Sequence, residues 1–451
     1  MSIPQNFPSP LIKWIRSFCD DFSFDFGQKS LLSFVDNVDN KKSSSFIHFD
    51  RAYLHLDTLN NKSGKDLLND YPKFSTIGSS YLSYNDNPVN FSIQPFSINY
   101  LTELSLENIR FLGDLHLDGI TTNLNAILSL DNSNNLSTSI EIDSLISFYK
   151  GFVDFKGTLN LSHLGLFANG KFQSNNFSFN SDSIEIKSGN MIGSVGSLKS
   201  GLDFSETPFS LFNGFLNYFP YENTFLIKGG QEKIKIYSEL DFDGDLYFDG
   251  DNLNGSGLFL SKNINIDASH HYFSKGNIMS ADATLSILHP FSLNTHLTSK
   301  ALTIEQNLLS DSVYVYKSNY EFELPQIDHI IDFDFFIYDL NSQSISFQNN
   351  DPYTDGNLTF TKYAKNGFNY NAIEANYDLI HNQFCVYSVF PLRLKKFLLQ
   401  PELNQFCVTS GDFEIFKNAT LIKERKILKD KLLNHLDVKI HPSLKIDIIN
   451  D

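Results

Sequence analysis

One short phrase recurs along this chain and constrains its fold more than any other feature. The phrase reads Gly, a small polar residue, Leu or Phe, any residue, and then Leu, Ile or Phe. Apolar residues at alternate positions are typical of a half-buried strand, because successive side chains of a strand point to opposite faces. The recurrence predicts a protein assembled from similar β-units. Its copies begin at Gly113, Gly157, Gly244, Gly356 and Gly411.

Two longer segments, Gly157 to Gly189 and Gly244 to Gly276, align from end to end. Each contains a strand, a loop rich in Leu and Gly, a second strand and a closing turn. The intervals between the five copies of the short phrase are uneven, which argues against a solenoid with one coil per period. An irregular stack of hairpins or a long curved sheet fits this spacing better.

The composition favours strands over helices. The 451 residues include 43 Phe and 20 Tyr but a single Trp, and aromatic side chains suit pleated, half-buried surfaces. Only 14 Pro are present, so long uninterrupted strands are permitted. We therefore predict an all-β fold with an elongated, repeat-type architecture of amphipathic strands, built as a curved sheet, a groove or an irregular β-solenoid.

The pattern divides the chain into three regions. Residues 1–44 are predicted to be a short lead-in, helical or irregular, and residues 45–415 the β-repeat region. Residues 416–451 are predicted to hold one amphipathic helix and a terminal strand.

The predicted C-terminal helix runs from Ala419 to Leu436, with Asn418 as its N-cap. Its basic face could touch a membrane or an acidic partner. Such a helix more often caps a β-stack and protects its last edge, which is the interpretation we favour. The apolar stripe comprises Leu421, Leu428, Leu432 and Leu436.

Charge and hydropathy restrict the partners. The formal net charge is −17, from 35 Lys and Arg against 52 Asp and Glu. An acidic surface repels phosphate backbones, so nucleic acid is not expected as a partner. No run of about 18 apolar residues occurs, so no transmembrane helix is predicted.

The first residues do not indicate a cellular location. The segment from Met1 to Phe22 has no continuous apolar stretch and does not read as a secretory signal. Either the protein is cytoplasmic, or the sequence is part of a longer chain. Strand-like alternation from Leu444 to Ile449, with nothing after it to pair, favours the second possibility. In that case the expected location is the cell envelope or the exterior.

Three cysteines, Cys19, Cys385 and Cys407, are too few for a disulfide framework. Cys385 and Cys407 lie on two apolar segments that could be neighbouring strands, which would allow one bridge. We expect unpaired thiols, because free Cys is commonly buried. The redox compartment therefore stays open.

The most conspicuous polar cluster is Asp241, Asp243 and Asp245, at alternate positions that share one strand face. Three carboxylates this close are a weak candidate for Ca²⁺, which prefers oxygen ligands. An EF-hand is excluded, because Leu246 stands where Gly is required and Asn252 where the final Glu belongs. The alternative is a solvated face of an edge strand, whose charges deter aggregation.

No motif for catalysis or zinc binding occurs. The adjacent His270 and His271 would point to opposite faces of a strand, which makes them a poor ligand pair. The chain has no His-Glu-x-x-His or Cys-x-x-Cys spacing, no Gly-x-Ser-x-Gly elbow and no phosphate loop. Carboxylate pairs for glycoside cleavage leave no local signature, and we name none. No catalytic residue, cofactor or metal is assigned.

The order Gly-x-Leu-x-Leu followed by Gly-Leu-x-x-x-Gly, as in Gly157 to Gly170, resembles long β-repeat proteins of Bacteroidota-type cell envelopes. The later order is also similar, with Gly244 to Gly276 and then Phe416 to Thr420. The resemblance covers roughly residues 110–450. It implies a secreted or envelope-facing protein, associated with the outer membrane, and it carries no catalytic residues. The chain is shorter than those proteins and lacks their signal peptide.

A weaker similarity is to AsmA- and TamB-like β-groove proteins, whose amphipathic strands conduct lipid between membranes. Three functions follow as hypotheses. The first is a non-enzymatic structural or interaction protein of the cell envelope, and the second is a lipid conduit whose Phe-rich faces line an open groove. The third is a polysaccharide-acting enzyme on a β-scaffold. The expected partners are envelope proteins or lipid.

Overall fold

The structure is a computed structural model, and it describes residues 29–31, 45–55, 73–84, 87–98, 109–117, 124–131, 135–230, 232–237, 240–261, 263–289, 291, 295–316, 322–324, 329–349, 358–362, 368–394, 397–409, 414–423, 431–440 and 446–449. Most of these residues lie in antiparallel strands, which confirms the predicted all-β class. In this part of the chain, no helix has the length and apolar character needed to cross a bilayer.

The strands are β1 (Lys29–Leu31), β2 (Ser45–His55), β3 (Lys73–Tyr84), β4 (Asn87–Ile93), β5 (Ser97–Ile98), β6 (Arg110–Leu115), β7 (Leu124–Leu130), β8 (Leu136–Phe148), β9 (Val153–Ser162), β10 (Gly165–Gln173), β11 (Phe177–Ile186), β12 (Met191–Ser200), β13 (Phe209–Phe219), β14 (Thr224–Lys228), β15 (Ile234–Ile236), β16 (Leu240–Phe248), β17 (Leu253–Ser261), β18 (Ile264–Ser274), β19 (Asn277–Leu288), β20 (Thr295–Asn307), β21 (Ser312–Tyr316), β22 (Phe322–Leu324), β23 (His329–Asp332), β24 (Phe335–Asp339), β25 (Ser344–Gln348), β26 (Leu358–Lys362), β27 (Phe368–Ala372), β28 (Glu374–Asp378), β29 (Gln383–Tyr387), β30 (Leu392–Leu394), β31 (Phe397–Gln400), β32 (Phe406–Thr409), β33 (Glu414–Lys423), β34 (Lys431–Ile440) and β35 (Ile446–Ile449). Short 3-10 helices lie at Tyr149–Gly151, Leu202–Phe204 and Glu402–Asn404.

The chain forms two compact units. Unit 1 comprises Met1–Asp203 and Asn213–Phe225, and unit 2 comprises Phe204–Phe212 and Leu226–Asp451. Within each unit, strands that follow one another in sequence pair in antiparallel register. Neither predicted boundary, after residue 44 or after residue 415, coincides with this division.

The two aligned segments adopt the same register, so the predicted repeat is confirmed. In unit 1, Gly157 of β9 lies opposite Gly170 of β10, and in unit 2, Gly244 of β16 lies opposite Gly257 of β17. The offset that carries Gly157 onto Gly244 also carries the register of β11 with β12 onto that of β18 with β19. The repeat therefore extends through four consecutive strands in each unit.

A β-bulge accompanies the glycine pair in each copy of the repeat. Its positions coincide at the same offset, so the two copies share an irregularity as well as a register. Bulges bend a strand and change the direction of nearby side chains. The flanking pairs are Gly170–Ser181 and Ala168–Ile184 in unit 1, and Gly257–Ala268 and Gly255–His271 in unit 2.

A tyrosine hydroxyl forms a hydrogen bond with a backbone carbonyl oxygen of the closing turn in each copy. The Tyr149 Oη lies 2.8 Å from the Lys187 carbonyl oxygen and 3.0 Å from that of Asn190. In unit 2, the Tyr237 hydroxyl donates to the carbonyl oxygen of Ser274 in the equivalent turn. Both tyrosines have a positive φ of 52°. The copies thus share a side-chain contact that the sequence alignment did not include.

Four turns of unit 2 are joined in a row by backbone hydrogen bonds, and we call this row the turn ladder. In each bond, a leucine N–H donates to the carbonyl oxygen of a residue with positive φ in the preceding turn. Two of the three leucines are buried. The N···O pairs are Leu308–Gly276 at 2.8 Å, Leu340–Asp311 at 3.0 Å and Leu379–Gln343 at 3.1 Å.

The last part of unit 2 has a second β-layer. Hairpins inserted after β21 and β25 form a four-stranded sheet of β22, β23, β26 and β27. The ring centroids of Phe322 on β22 and Phe336 on β24 are 5.2 Å apart, and Phe333 lies 5.5 Å from Phe347 on β25. These four side chains are at most 2% exposed. These Phe side chains form a closed core between the two layers.

The predicted C-terminal helix is wrong. Its described residues belong to β33 and β34, which pair with each other so that Leu421 lies opposite Leu433. Ala419 and Leu421 are buried at alternate positions, so the leucine spacing serves cross-strand packing rather than a helical stripe. Asn418, the predicted cap, lies inside β33 with positive φ. Residues 424–430 lie outside the described residues.

The described part of the predicted lead-in is also a strand. Residues 29–31 form β1, which pairs with β2. The other lead-in residues lie outside the described residues, as do the phrase glycines Gly356 and Gly411.

Candidate functional site

The three aspartates considered for Ca²⁺ lie on β16, which pairs with β15 and β17 and is therefore not an edge strand. Asp241 forms an ion pair with Lys235, and the Asp245 Oδ2 lies 3.7 Å from the Lys228 Nζ. Across the described residues, no group of three or more His, Cys, Asp or Glu side chains is placed to hold a metal ion. The geometry favours a solvated face whose aspartates pair with lysines.

The prediction that His270 and His271 point to opposite faces is confirmed. His270 is exposed, whereas His271 is fully buried beside the bulge of β18. With Nε2 protonated, His271 donates to the Gly257 carbonyl oxygen at 2.8 Å, and its Nδ1 accepts from the Ser280 hydroxyl at 2.8 Å. Burial lowers the pKa of His271, against the opposing effects of Gly257 and Asp267. The residue is a buried core side chain whose two ring nitrogens both have hydrogen-bond partners.

The expectation of unpaired thiols is wrong for two of the cysteines. Cys385 on β29 lies directly opposite Cys407 on β32, and the two form a disulfide. The expectation assumed buried cysteines, but Cys385 is half-buried and Cys407 is exposed. Cys19 lies outside the described residues.

Unit 1 carries a broad hollow of about 720 Å³ on the outward face of β10 to β13, and we call it the outer concavity. Phe167 on β10 and Phe215 on β13 contribute aromatic surface to its lining, and Phe215 is 37% exposed. Asp182 and Glu185 of β11 contribute carboxylates to it. The hollow is a broad depression that is open to solvent and not an enclosed cavity.

Asp182 enters the outer concavity from β11, beside a bulge in that strand. Two residues of β11, Asp182 and Ser183, stand against one residue of β10 at this point. The buried Ser181 hydroxyl fixes the bulge, since it donates to the Ser194 carbonyl oxygen at 2.6 Å and accepts from the Ser183 N–H at 3.1 Å. Asp182 is exposed by the ordinary alternation of β11, and the bulge turns Ser183 outward beside it.

The charges in the outer concavity are partly compensated. The Glu185 Oε2 lies 3.0 Å from the Lys187 Nζ, and both side chains line the hollow. Ser183, Ser194 and Asn213 add neutral polar groups between the aromatic rings. The lining therefore alternates apolar and polar surface and has a small net negative charge.

Glycine keeps part of the outer concavity open. A Cβ added at Gly196 would meet only the Asn180 carbonyl oxygen, at 3.9 Å, which is an ordinary contact. The fold itself therefore has room for a side chain at this position. Glycine inside a strand weakens it and often marks a place where a ligand approaches closely.

A second, smaller hollow of about 220 Å³ in unit 1 shares Lys187 with the outer concavity, and we call it the inner pocket. Its lining includes Val89 of β4, Leu115 of β6 and Leu161 of β9. Exposed Lys187 and Ser188 belong to the same lining. The inner pocket is thus mainly apolar with polar residues at one side.

The interior aromatic side chains are covered in the described residues. Phe155 in unit 1, and Phe242 and Phe347 in unit 2, are each 0% exposed. An open lipid groove would leave such a face exposed as a continuous apolar trough. Exposed large apolar side chains lie in turns, as at Leu164, Leu202 and Leu309, and also on strand faces, as at the paired residues Leu112 and Ile127.

Sequence reasoning did not find the residues of the outer concavity. Asp182, Glu185 and Phe215 belong to no recognised sequence motif. They line one hollow only through cross-strand register, which the sequence does not display. The glycine cluster from Gly193 to Ser197 suggests a turn in the sequence, and this prediction is wrong, because these residues lie inside β12. Gly196 within that strand was the usable signal.

The comparisons with known proteins give no family for this chain. No protein-family model matches the sequence, and no curated protein matches it.

Proposed function

We propose that this chain is a non-enzymatic structural or interaction protein of the bacterial cell envelope, built on repeated antiparallel β-units. The observation that carries the proposal is the Cys385–Cys407 disulfide. Disulfides form and persist in secreted and envelope proteins and are rare in the reducing cytoplasm. The acidic, β-repeat composition and the resemblance to Bacteroidota-type envelope proteins agree with this location.

The position of the disulfide adds to the argument. Cys407 is exposed, so the bridge is reachable by cytoplasmic reductants rather than shielded in a core. An oxidised pair at such a position is therefore best explained by an oxidising compartment.

The test is the thiol state of the chain in the cells that produce it. Cells are quenched in acid, and the denatured protein is treated with a maleimide–PEG reagent before and after reduction. We expect only Cys19 to react before reduction and all three cysteines to react afterwards. A Cys385→Ser/Cys407→Ser variant, which should show one reactive thiol in both samples, is the control. Three reactive thiols before reduction would refute an oxidising location.

A second candidate function, lipid binding, is favoured by the inner pocket. Its volume of about 220 Å³ exceeds an engineered cavity of roughly 150 Å³ that binds benzene, so it has room for the end of an acyl chain. This is binding of a single chain end and not conduction along a groove.

The lipid candidate is tested by solvent extraction of the purified protein and mass spectrometry of the extract. Val89→Phe fills the inner pocket, whereas Leu164→Phe changes an exposed side chain of unit 1 and serves as the matched control. Stoichiometric lipid that is lost only in Val89→Phe would support this candidate. A lipid-free wild-type protein would remove it.

A further inference from the structure

We infer that the outer concavity of unit 1 binds a neutral saccharide chain. The inference deepens the proposed interaction role, on which it rests, by assigning a ligand class to one surface. It is carried by the alternation of aromatic and polar groups over the Phe167, Asp182, Glu185 and Phe215 side chains, and by the open space beside Gly196.

The shape of a pyranose matches this lining. The faces of the ring are apolar C–H surfaces, whereas its rim carries hydroxyl groups that both donate and accept hydrogen bonds. Exposed aromatic surface, such as the Phe215 ring, suits the C–H faces. Carboxylate oxygens accept hydrogen bonds only, and an Asn amide both accepts and donates, so Asp182 and Asn213 suit the hydroxyl rim.

The charges disfavour the competing ligand classes. A multivalent cation would need several uncompensated carboxylates, but the Glu185 carboxylate pairs with Lys187 at 3.0 Å, which leaves Asp182 alone to bind it. An anionic ligand would face Asp182 and Glu185 at close range. A wholly apolar ligand would remove water from the Asp182 carboxylate and the Ser194 hydroxyl without offering either a hydrogen-bond partner.

The second copy of the repeat lacks this surface although it has the same register. At the offset that carries Gly157 onto Gly244, the positions of Asp182 and Glu185 become Ser269 and Tyr272. The carboxylates are therefore not needed to build the repeat. They belong to the surface of one copy, as expected of ligand-binding residues and not of residues that maintain the fold.

Gly196→Val is the decisive variant. A valine Cβ fits at this position without backbone overlap, and Val is favoured in strands, so the fold should be kept while the side chain enters the outer concavity. Ser178→Val is the matched control, because Ser178 is exposed on β11 and is not part of the concavity lining. Phe215→Ala removes exposed aromatic surface and gives an independent variant.

The assay is electrophoresis of the native full chain through gels that each contain one soluble polysaccharide: dextran, mannan, xylan, laminarin or hydroxyethyl cellulose. We expect at least one polymer to retard the wild type. Gly196→Val should lower the association constant for that polymer at least tenfold, Phe215→Ala should also weaken it, and Ser178→Val should retain it. Unchanged melting temperatures would show that the variants fold.

Two results would overturn the inference: no retardation of the wild type by any of these polymers, or retardation that Gly196→Val leaves unchanged. The outcome is separable from that of the thiol test. A chain that is oxidised in cells but unretarded loses only the saccharide site. A chain that is retarded but fully reduced in cells loses only the proposed location.

Discussion

Gly244 and Gly257 lie opposite each other on β16 and β17, and neither has room for a Cβ. A Cβ on Gly244 would lie 2.2 Å from the Ser256 carbonyl oxygen, and one on Gly257 would lie 2.4 Å from that of Asp243. The Phe242 ring covers the space that a Gly244 side chain would use. The close approach of the two backbones thus depends on both glycines, and the Gly157–Gly170 pair repeats the arrangement in unit 1.

Gly257→Ala should destabilise the protein by about 3 kcal/mol, because the new Cβ overlaps backbone and the φ of +141° is unfavourable for alanine. Gly189→Ala is the control, since a Cβ there meets nothing within 4 Å and should change stability by less than about 0.5 kcal/mol. Urea denaturation of both variants measures the difference. Equal stabilities would show that the strands separate easily to admit the methyl group.

Reduction of the Cys385–Cys407 bridge should lower the free energy of unfolding by about 3 kcal/mol, because a cross-link over 22 residues restricts the unfolded chain. Thermal melts with and without dithiothreitol measure this change. Cys385→Ala/Cys407→Ala should melt at the lower temperature under both conditions, whereas Cys19→Ser should keep the wild-type response. If the melting temperature of the wild type were the same with and without dithiothreitol, the prediction would be contradicted.

The free energy of unfolding should depend on pH through His271. Burial lowers the pKa of His271 in the folded protein, so the unfolded chain binds more protons at mildly acidic pH. Stability from this residue is complete above an unfolded pKa near 6.5 and is lost as the pH falls below it, toward the lower folded pKa.

The measurement for His271 is urea denaturation at several pH values between about 7.5 and 5. His271→Gln should be less stable at neutral pH and should lose part of the pH dependence. The neighbouring His270→Gln, which changes an exposed side chain, should keep the wild-type profile. An identical pH profile in all three proteins would rule out His271 as a contributor.

Removing the tyrosine hydroxyl that hydrogen-bonds the closing turn should lower stability by a similar amount in both copies of the repeat. Tyr149→Phe and Tyr237→Phe each lose a hydrogen bond to a turn carbonyl, so we expect about 1 kcal/mol of destabilisation for each. Hydrogen exchange of the amides in the two turns checks the location of the effect. Tyr272→Phe, at a side chain that is 46% exposed, is the control.

Leu379→Ala should destabilise unit 2 by about 3 kcal/mol, because Leu379 is 0% exposed and its truncation leaves a cavity beneath the turn ladder. Leu309→Ala, in another turn of the ladder, should have almost no effect, since Leu309 is 87% exposed. Chemical denaturation measures both. Similar losses for the two variants would show that the turns and not the buried leucine determine the stability.

The sequence contained enough information for the strands and the repeat but not for the end of the chain. Alternation around Gly157 and Gly244 is a local pattern, and local patterns determine which face of a strand is buried. The leucines from Leu421 to Leu436 fit a helical period and an alternating one at the same time. Cross-strand pairing with β34 decides between them, and pairing partners are not visible in a single local window.

The candidate site was harder to predict for the same reason. Asp182 and Phe215 line one hollow only because the four strands β10 to β13 lie side by side in a particular register. The disulfide depends on register too, since Cys385 and Cys407 are exact neighbours only in the pairing of β29 with β32. The sequence allowed this bridge, but the common burial of free Cys gave the wrong expectation.

The turn ladder has a direction along the chain. In every rung, the leucine N–H belongs to the later turn and the carbonyl oxygen to the earlier one, as in the bond from Leu340 to Asp311. During synthesis on the ribosome, each emerging turn would find its acceptor already formed. The turns of the ladder can therefore form in order while translation is still in progress, and within the ladder the carbonyl oxygen without its donor would always lie in the last turn formed.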